Sequence, residues 1–227
     1  GAAGQRCMAL PVIVAVGGIA EKLVPAIKAR AEKIVVGPGT DPASEMGPVI
    51  TRSSQQRITK WINEAEANGA SVVLDGRGYK PEGEEYADGF WLGPTILDNV
   101  DRKLDIYCEE VFGPVLVVVH ADTYEEAIEI VNSSPYGNGS AIFTYDGDTA
   151  RHFAVEVEAG MVGVNVPIPV PVAYYSFGGW KESLLGDTHI HGPEGVRFYT
   201  KAKVITTRWP KRGEKVGYVG MNFPTNG

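Results

Sequence analysis

The second half of the chain alternates strand-like apolar runs with helix-like segments, and this alternation limits the possible folds more than any other feature. The run PVLVVVHA at 114–121 is rich in β-branched residues, as in strands that are covered on both faces. Helix-like segments at 123–137 and 148–160 separate it from the strand-like runs SAIFTYD and GMVGVNV. Strand, helix, strand, helix and strand at this spacing predict right-handed crossovers and a mainly parallel sheet. The predicted fold class is therefore α/β.

The first half predicts further helices and strands that are joined by long loops. Two segments carry apolar residues at three- and four-residue steps, as amphipathic helices do: 17–34 and 55–70. Pro25 is tolerated because it falls near the start of the first helix. Two other segments read as short buried strands: 9–16 and 71–76. Glycine, proline and acidic residues dominate two segments that we expect to be surface loops: 35–51 and 76–95.

The segment from Val196 to Trp209 alternates side chains between two faces over more than ten residues. This period predicts a long terminal strand with no hairpin partner nearby. Because an unpaired strand exposes backbone donors and acceptors, we expect it to pair with another sheet, in a second subunit of a homo-oligomer such as a dimer or tetramer. The tail at 210–227 shows no period, and we expect it to be loosely held.

Composition and charge exclude several classes of function. The net charge is -7, and no dense basic cluster is present, so nucleic acid is not an expected partner. The longest apolar run is twelve residues and is interrupted by Pro11, Gly17 and Gly18, so we expect no membrane segment. Cys7 and Cys108 lie far apart in a chain of ordinary size, which favours free thiols. The four histidines lack the spacing of a zinc site, so no metal is expected.

The stretch GAAGQRCMAL contains the residue with the greatest chemical potential, Cys7. A cysteine acts as a nucleophile only when its surroundings favour the thiolate, and Arg6 offers a neighbouring cation. Adjacent side chains on an extended segment point to opposite faces, however, and a free cysteine is often a small core residue. No histidine is placed in the sequence for a Cys-His pair. Spacing alone leaves both interpretations of Cys7 open.

Five short motifs occur in a fixed order: GQRC, EEVFGPV, NSSPYGN, GVNV and FGGWKES. As an ordered set they resemble the aldehyde dehydrogenase superfamily, and the resemblance runs from Gly1 to about Trp209. Within the superfamily, GQRCMA, YGNGSAIFT and VGVNVPIPVP are most similar to the CoA-acylating methylmalonate-semialdehyde dehydrogenases. The segment SLLGDTHIHGPEG departs from the Gly-rich turn of most members, as the semialdehyde family also does.

The resemblance implies a role for individual residues of this sequence. Cys7 would add to the aldehyde, giving a thiohemiacetal whose hydride passes to NAD and leaves a thioacyl enzyme. The backbone N–H of Cys7 would help to hold the oxyanion. Glu110 would bind the nicotinamide ribose, and Phe112 would pack beside the nicotinamide. Read without the resemblance, these two residues would be an exposed acid and a core aromatic residue.

The resemblance also implies how the substrate is held. Phe177 would line the substrate pocket, and Arg6 would bind the carboxylate of methylmalonate or malonate semialdehyde in bidentate fashion. A surface arginine that pairs with any nearby acid is the alternative interpretation of Arg6. Loss of carbon dioxide and transfer to CoA would then yield propionyl-CoA or acetyl-CoA.

Members of the superfamily have a Rossmann-like NAD-binding domain before the nucleophile, and no glycine-rich dinucleotide fingerprint occurs in this sequence. The resemblance thus implies that residues 1–195 form the catalytic domain of a longer enzyme and would bind NAD poorly alone. It implies a cytoplasmic enzyme in a bacterium or a mitochondrial matrix enzyme in a eukaryote. Two other functions stay open: a hydrolytic aldehyde dehydrogenase, and a non-catalytic oligomerising module.

Overall fold

A four-stranded sheet forms the centre of the computed structural model, which describes residues 2–213. Its strands are β1 (Val12–Val16), β2 (Ser71–Leu74), β3 (Thr95–Asp98) and β4 (Val115–Ala121). Their order is β1-β4-β3-β2, with β4 parallel to both β1 and β3, and only β2 antiparallel to its neighbour. The α/β class with a mainly parallel sheet is confirmed.

Helices cover both faces of this sheet. They are α1 (Ala20–Ala31), α2 (Arg52–Ala67), α3 (Asp105–Cys108) and α4 (Tyr124–Asn132). Val117 and Val119 of β4 belong to a buried cluster with α2 and α4, whereas Val118 belongs to a second cluster with α1. Successive strand side chains point to opposite faces, so a run of valines suits a strand that is buried on both sides.

The ends of two helices follow from their sequences. The side chain of Thr51 accepts a hydrogen bond from Ser54 N at the start of α2, and Thr123 accepts one from Glu126 N at the start of α4. Each cap satisfies an N–H group that has no partner within the helix. Asn68 then ends α2, with its Nδ2 donating to Glu64 O at 2.7 Å. The helices predicted within 17–34, 55–70 and 123–137 are confirmed.

A smaller unit follows α4. Its elements are β5 (Tyr136–Gly137), β6 (Gly139–Ile142), α5 (Gly147–Glu156), β7 (Met161–Val164) and β8 (Trp180–Lys181). β6 is parallel to β7, and β5 is antiparallel to β8. The alternating region therefore does not form one ladder, because β4 pairs with the strands of the first half while β6 pairs with β7.

The prediction of a terminal strand at 196–209 is wrong for its first residues, 196–199, which belong to the helix α6 (Gly192–Tyr199). Pro193 stands in the first turn, where its fixed φ suits a helix, and Arg197 bonds to Glu194 one turn earlier at 2.9 Å. Residues 200–213 have no regular secondary structure. The alternation of 200–209 is matched by no strand partner among the described residues. Most of the predicted tail, 214–227, lies outside the described residues.

The two predicted loop regions contain little regular structure, yet each is held by buried apolar side chains. Val49 anchors the first, and Trp91 and Leu92 anchor the second. β3 begins directly after the second loop, at a place where the loop composition gave no sign of a strand. Among residues 2–213, no helix has the length and apolar composition required to cross a membrane.

Candidate active site

Cys7 lies in a compact turn that precedes β1, called here the Cys7 turn (residues 4–9). Gln5 N donates to Ala2 O at 2.9 Å, and Ala9 N donates to Arg6 O at 3.0 Å. Because the backbone turns here instead of extending, the side chains of Arg6 and Cys7 are both exposed. Among residues 2–213, Cys7 is therefore not part of the buried core. Cys108, the other free thiol, is also exposed, and its Sγ donates to Arg102 O at 3.1 Å.

The side chain of Gln5 fastens the Cys7 turn to the segment that leads into α2. Its Oε1 accepts a hydrogen bond from Ile50 N at 2.8 Å, and its Nε2 contacts Pro48 O at 3.4 Å. Ile50 is followed directly by Thr51, the cap of α2. The turn is thus tied through one amide side chain to a helix whose inner face is buried.

Gly4 brings the Cys7 turn against the EEVFGPV motif. Its φ is +69°, and a methyl group added there would lie 2.7 Å from the carbonyl carbon of Gly113. Only glycine combines a left-handed backbone with so close an approach. On the other side of this contact, Arg57 of α2 donates to Val111 O at 2.9 Å and fixes the motif in place.

Glu110 and Phe112 lie on the exposed side of the same motif, with Val111 buried between them. Phe112 has a φ of +51°, which is uncommon for an aromatic residue and turns the chain before β4. The carboxylate of Glu110 makes no hydrogen bond or ion pair with any part of the chain that the structure describes. Both side chains are therefore accessible to a ligand, as an exposed acid and an exposed aromatic ring.

The NSSPYGN motif reaches the Cys7 turn through Asn138. Its Nδ2 donates to Cys7 O at 2.9 Å and lies 3.2 Å from Met8 Sδ. Just before it, Tyr136 and Gly137 form β5, whose partner β8 contains Trp180 and Lys181 of the FGGWKES motif. The third and fifth motifs are therefore joined to each other and to the backbone of the nucleophile.

Lys181 and Tyr136 strengthen this junction. Lys181 Nζ donates to Asn132 O at 2.6 Å and Ser134 O at 3.0 Å, and forms an ion pair of 2.7 Å with Glu158. The phenol of Tyr136 donates to Glu109 Oε2 at 3.4 Å, within the EEVFGPV motif. Partial burial raises the pKa of Tyr136, and the Glu109 carboxylate raises it further.

Phe177 is half-buried beside the ring of His191, at a centroid distance of 5.5 Å. Its carbonyl accepts a hydrogen bond from Ile190 N at 3.3 Å, and the neighbouring Ser176 hydroxyl pairs with His189. The segment at 189–191 therefore supports the loop that carries Phe177. Asn138 links this loop to the Cys7 turn. Gly179, which follows Phe177 in the loop, approaches Asn138 so closely that a methyl group added at Gly179 would lie 2.9 Å from the Cα of Asn138.

Asn165, in the GVNV motif, holds the ends of β6 and β7 together. Its Oδ1 accepts from Thr144 N and its Nδ2 donates to Thr144 O, both at 3.0 Å, with a φ of +57°. Sequence reasoning gave no structural role to Gln5, Asn138 or Asn165. A signal was available, because each is an amide side chain inside one of the five motifs.

The surroundings of Cys7 are open in this chain. Two shallow clefts in the described part lie elsewhere, one along α2 and one between α4 and α5, and neither contains a residue of the Cys7 turn. The guanidinium of Arg6 has no hydrogen-bond or ion-pair partner among residues 2–213. The described residues also contain no group of three or more His, Cys, Asp or Glu side chains arranged for a metal ion.

Comparison with known proteins agrees with the order of the motifs. The sequence pattern of the aldehyde dehydrogenase family matches residues 1–205. The malonate-semialdehyde dehydrogenase of Pseudomonas aeruginosa is 52% identical over 217 residues, which are 93% of this chain and 42% of that protein. The mitochondrial, acylating methylmalonate-semialdehyde/malonate-semialdehyde dehydrogenase of Bos taurus is 47% identical over 227 residues, 100% of this chain and 42% of that protein. The chain thus spans about two fifths of the length of these relatives.

Solved structures give the same result for the fold. The methylmalonate-semialdehyde dehydrogenase of Oceanimonas doudoroffii superposes with a TM-score of 0.90 at 50% identity, over 94% of this chain and 43% of that one. The betaine aldehyde dehydrogenase of Staphylococcus aureus, in complex with NAD+, superposes with a TM-score of 0.78 at 35% identity, over 87% and 38%. The residues that the family pattern matches, 1–205, include both the Cys7 turn and the loop of Phe177. The chain belongs to the aldehyde dehydrogenase family.

Proposed function

We propose that this chain carries the nucleophile of an NAD-dependent, CoA-acylating enzyme that oxidises and decarboxylates methylmalonate or malonate semialdehyde. The observation that carries the proposal is the convergence of separate motifs on one exposed cysteine, through Gly113 and Asn138. The names of the Pseudomonas and Bos relatives support the substrate class. Since those relatives are more than twice as long as the matched region, the activity is proposed for the full-length enzyme. The full-length enzyme is the present sequence joined to the part of the relatives that this chain does not cover.

Cys7 performs the bond-forming step. Its thiolate adds to the aldehyde carbon and forms a C–S bond, while the π electrons of the carbonyl move to the oxygen. The N–H of Cys7 donates no hydrogen bond to the described part of the chain, so it is available to this oxygen. NAD, when bound, supplies the acceptor for the hydride that leaves the same carbon. Cys7 then carries the acyl group as a thioester.

Arg6 is the candidate anchor for the substrate carboxylate. Its guanidinium is exposed and unpartnered within residues 2–213, next in sequence to the nucleophile. A planar guanidinium binds a carboxylate through two parallel hydrogen bonds. In the thioester this carboxylate is β to the carbonyl, so its C–C bond can break, releasing CO2 and leaving an electron pair that takes up a proton. The thiol of CoA then attacks the thioester carbon, and Cys7 leaves as thiolate.

Glu110 and Phe112 fit the nicotinamide half of NAD. A carboxylate without other partners can accept hydrogen bonds from ribose hydroxyls, and an exposed phenyl ring offers an apolar face to a nicotinamide ring. Both side chains stand on the accessible side of a segment whose backbone is held by Arg57 and packed against Gly4. Phe177 would line the aldehyde side of the pocket.

The requirement for CoA tests this proposal. The full-length enzyme is mixed with malonate semialdehyde and NAD, and NADH absorbance is followed with and without CoA. We expect one NADH per Cys7 site without CoA, and steady production only when CoA is added. Continuous production without CoA would instead indicate a hydrolytic aldehyde dehydrogenase. No NADH in either case would indicate the non-catalytic module.

Substitution of Arg6 tests the substrate class. We expect Arg6→Gln to raise KM for malonate semialdehyde about 10- to 100-fold, the range for losing hydrogen bonds to a charged group. The KM for propanal, which lacks the carboxylate, should change less than about threefold. Arg151→Gln is the matched control, because Arg151 is an exposed arginine that pairs with Asp148 on α5.

The full-length enzyme is further proposed to be a homo-oligomer, in which residues 200–209 pair with a sheet of another subunit. Val204, Ile205 and Trp209 are largely exposed in this segment. Light scattering on the full-length enzyme with and without residues 200–227 tests this.

The mitochondrial location in the name of the Bos relative supports the matrix as the location in a eukaryote, with the cytoplasm proposed for a bacterium.

A further inference from the structure

Asn138 is the side chain that connects the Cys7 turn to the loop of Phe177. It is half-buried, and its amide lies between the two: Nδ2 donates to Cys7 O at 2.9 Å, while a methyl group at Gly179 would lie 3.1 Å from its Oδ1. Its backbone is also held, because Met161 N donates to Asn138 O at 3.2 Å at the start of β7. Asn138 therefore joins one end of the β6–β7 pair to the nucleophile and to the FGG segment.

We propose that Asn138 is a positioning residue that aims Cys7 at the aldehyde, an inference that rests on the proposed function. The N–H of Cys7 lies in the peptide group before its Cα, and its carbonyl lies in the peptide group after it. Fixing the carbonyl therefore restricts the rotation that would turn the N–H and the thiol away from a bound substrate. An amide on the rigid end of a strand holds the turn more firmly than a contact from another loop would.

The contacts with Met8 and Gly179 make this role specific to an asparagine. Met8 Sδ lies 3.2 Å from Nδ2, and Gly179 approaches closely on the other side, where a methyl group added to it would lie 3.1 Å from Oδ1. A leucine has the branched shape of asparagine but offers no donor to Cys7 O. An aspartate has the shape but replaces the donor by a negative charge, and the covalent geometry of cysteine places this charge within about 7 Å of Cys7 Sγ.

Two variants separate positioning from a purely structural role. In the full-length enzyme we expect Asn138→Leu to lower kcat at least about tenfold, because misaimed groups lose rate rather than affinity. The KM for malonate semialdehyde should change less than about threefold. Asn68→Leu is the matched control, since Asn68 Nδ2 also donates to a backbone carbonyl, at the far end of α2. The control should keep the kcat of the unsubstituted enzyme.

The second measurement needs no substrate. The 227-residue chain is alkylated with iodoacetamide across pH, and Cys7 and Cys108 are quantified separately by mass spectrometry. We expect Asn138→Asp to raise the pH midpoint for Cys7 by about half a unit, from the repulsion of two charges at this distance in water, and to leave Cys108 unchanged. Asn138→Leu should leave both midpoints unchanged.

The inference is overturned if Asn138→Asp leaves the Cys7 midpoint in place. It is also overturned if the kcat of Asn138→Leu falls only in proportion to the folded fraction measured by circular dichroism. If the unsubstituted full-length enzyme oxidises no semialdehyde, the proposed function fails on its own. The alkylation result then still decides whether the side chain at position 138 affects the pH midpoint of Cys7 alkylation.

Discussion

Replacing Gly4 by alanine tests how the Cys7 turn is held against the EEVFGPV motif. Two costs add at this position. The left-handed φ of +69° costs a residue with a Cβ about 1–2 kcal/mol. The added methyl group would also lie 2.7 Å from the carbonyl carbon of Gly113, where carbon atoms normally sit about 3.5–4.0 Å apart. Such overpacking costs about 1–3 kcal/mol more, so we expect Gly4→Ala to lower the free energy of unfolding by about 2–5 kcal/mol.

Gly17 supplies a matched control for this experiment. Its φ is +60°, but a methyl group added there meets no atom within 4 Å. Gly17→Ala should therefore show only the backbone cost of about 1–2 kcal/mol. Urea unfolding followed by circular dichroism measures both variants, and alkylation of Cys7 reports whether the turn has moved. Equal destabilisation by the two substitutions, within about 0.5 kcal/mol, would show that the contact with Gly113 does not hold the turn.

Three further predictions concern the scaffold. Asn165→Ala should lower the free energy of unfolding by about 1–3 kcal/mol in urea titration, because it removes both hydrogen bonds to Thr144; a loss below about 0.5 kcal/mol would contradict that role. Thr51→Ala should lower it by about 1 kcal/mol, through loss of the α2 cap, while Thr51→Ser should keep most of it. Burial and the hydrogen bond to Glu156 raise the pKa of Tyr124 from 10.0 to about 12, so its stabilising effect should be full below pH 10 and decline as pH rises towards 12. Tyrosinate absorbance should therefore contain a late step near pH 12 that Tyr124→Phe reduces by the absorbance of one tyrosine.

Much of the fold could be predicted because each local pattern agrees with its surroundings. The β-branched run of β4 is long enough to be distinguished from a loop, and its two buried faces explain its uniform composition. α2 combines an apolar stripe with a cap at Thr51 and an Asn-Gly end. β3 could not be predicted, because four residues after a Gly-Pro pair carry too little pattern to reveal a strand between β4 and β2.

The terminal segment shows why alternation alone misleads. Val196 and Phe198 fit a strand period, but Pro193 and Glu194 just before them begin a helix, and the pair of Glu194 and Arg197 stabilises its only two turns. A period of two over exposed residues becomes a strand only when another strand supplies the hydrogen bonds. Within residues 2–213 no such partner reaches 200–209.

The candidate site residues were named from the sequence through the family resemblance of five ordered motifs, whereas the contacts that hold them join residues far apart in the chain. Cys7 and Arg6 could be chosen as chemically active residues, but their joint exposure depends on a turn whose sequence gives no clear signal. Gln5 bonds to a residue 45 positions away, and Asn138 to one 131 positions away. Such pairings depend on the packing of the whole domain, so no local pattern in a single sequence reveals them.

The central claim is that Cys7 carries the acyl group, and trapping that group tests it most directly. The full-length enzyme is incubated with malonate semialdehyde and NAD in the absence of CoA, quenched in acid and digested. The mass of each cysteine-containing peptide is then measured by mass spectrometry. The account predicts an acetyl thioester on the peptide that contains Cys7, after loss of CO2, and its disappearance when CoA is added before the quench. An acyl group on Cys108, or NADH formation with no acyl group on Cys7, would contradict it.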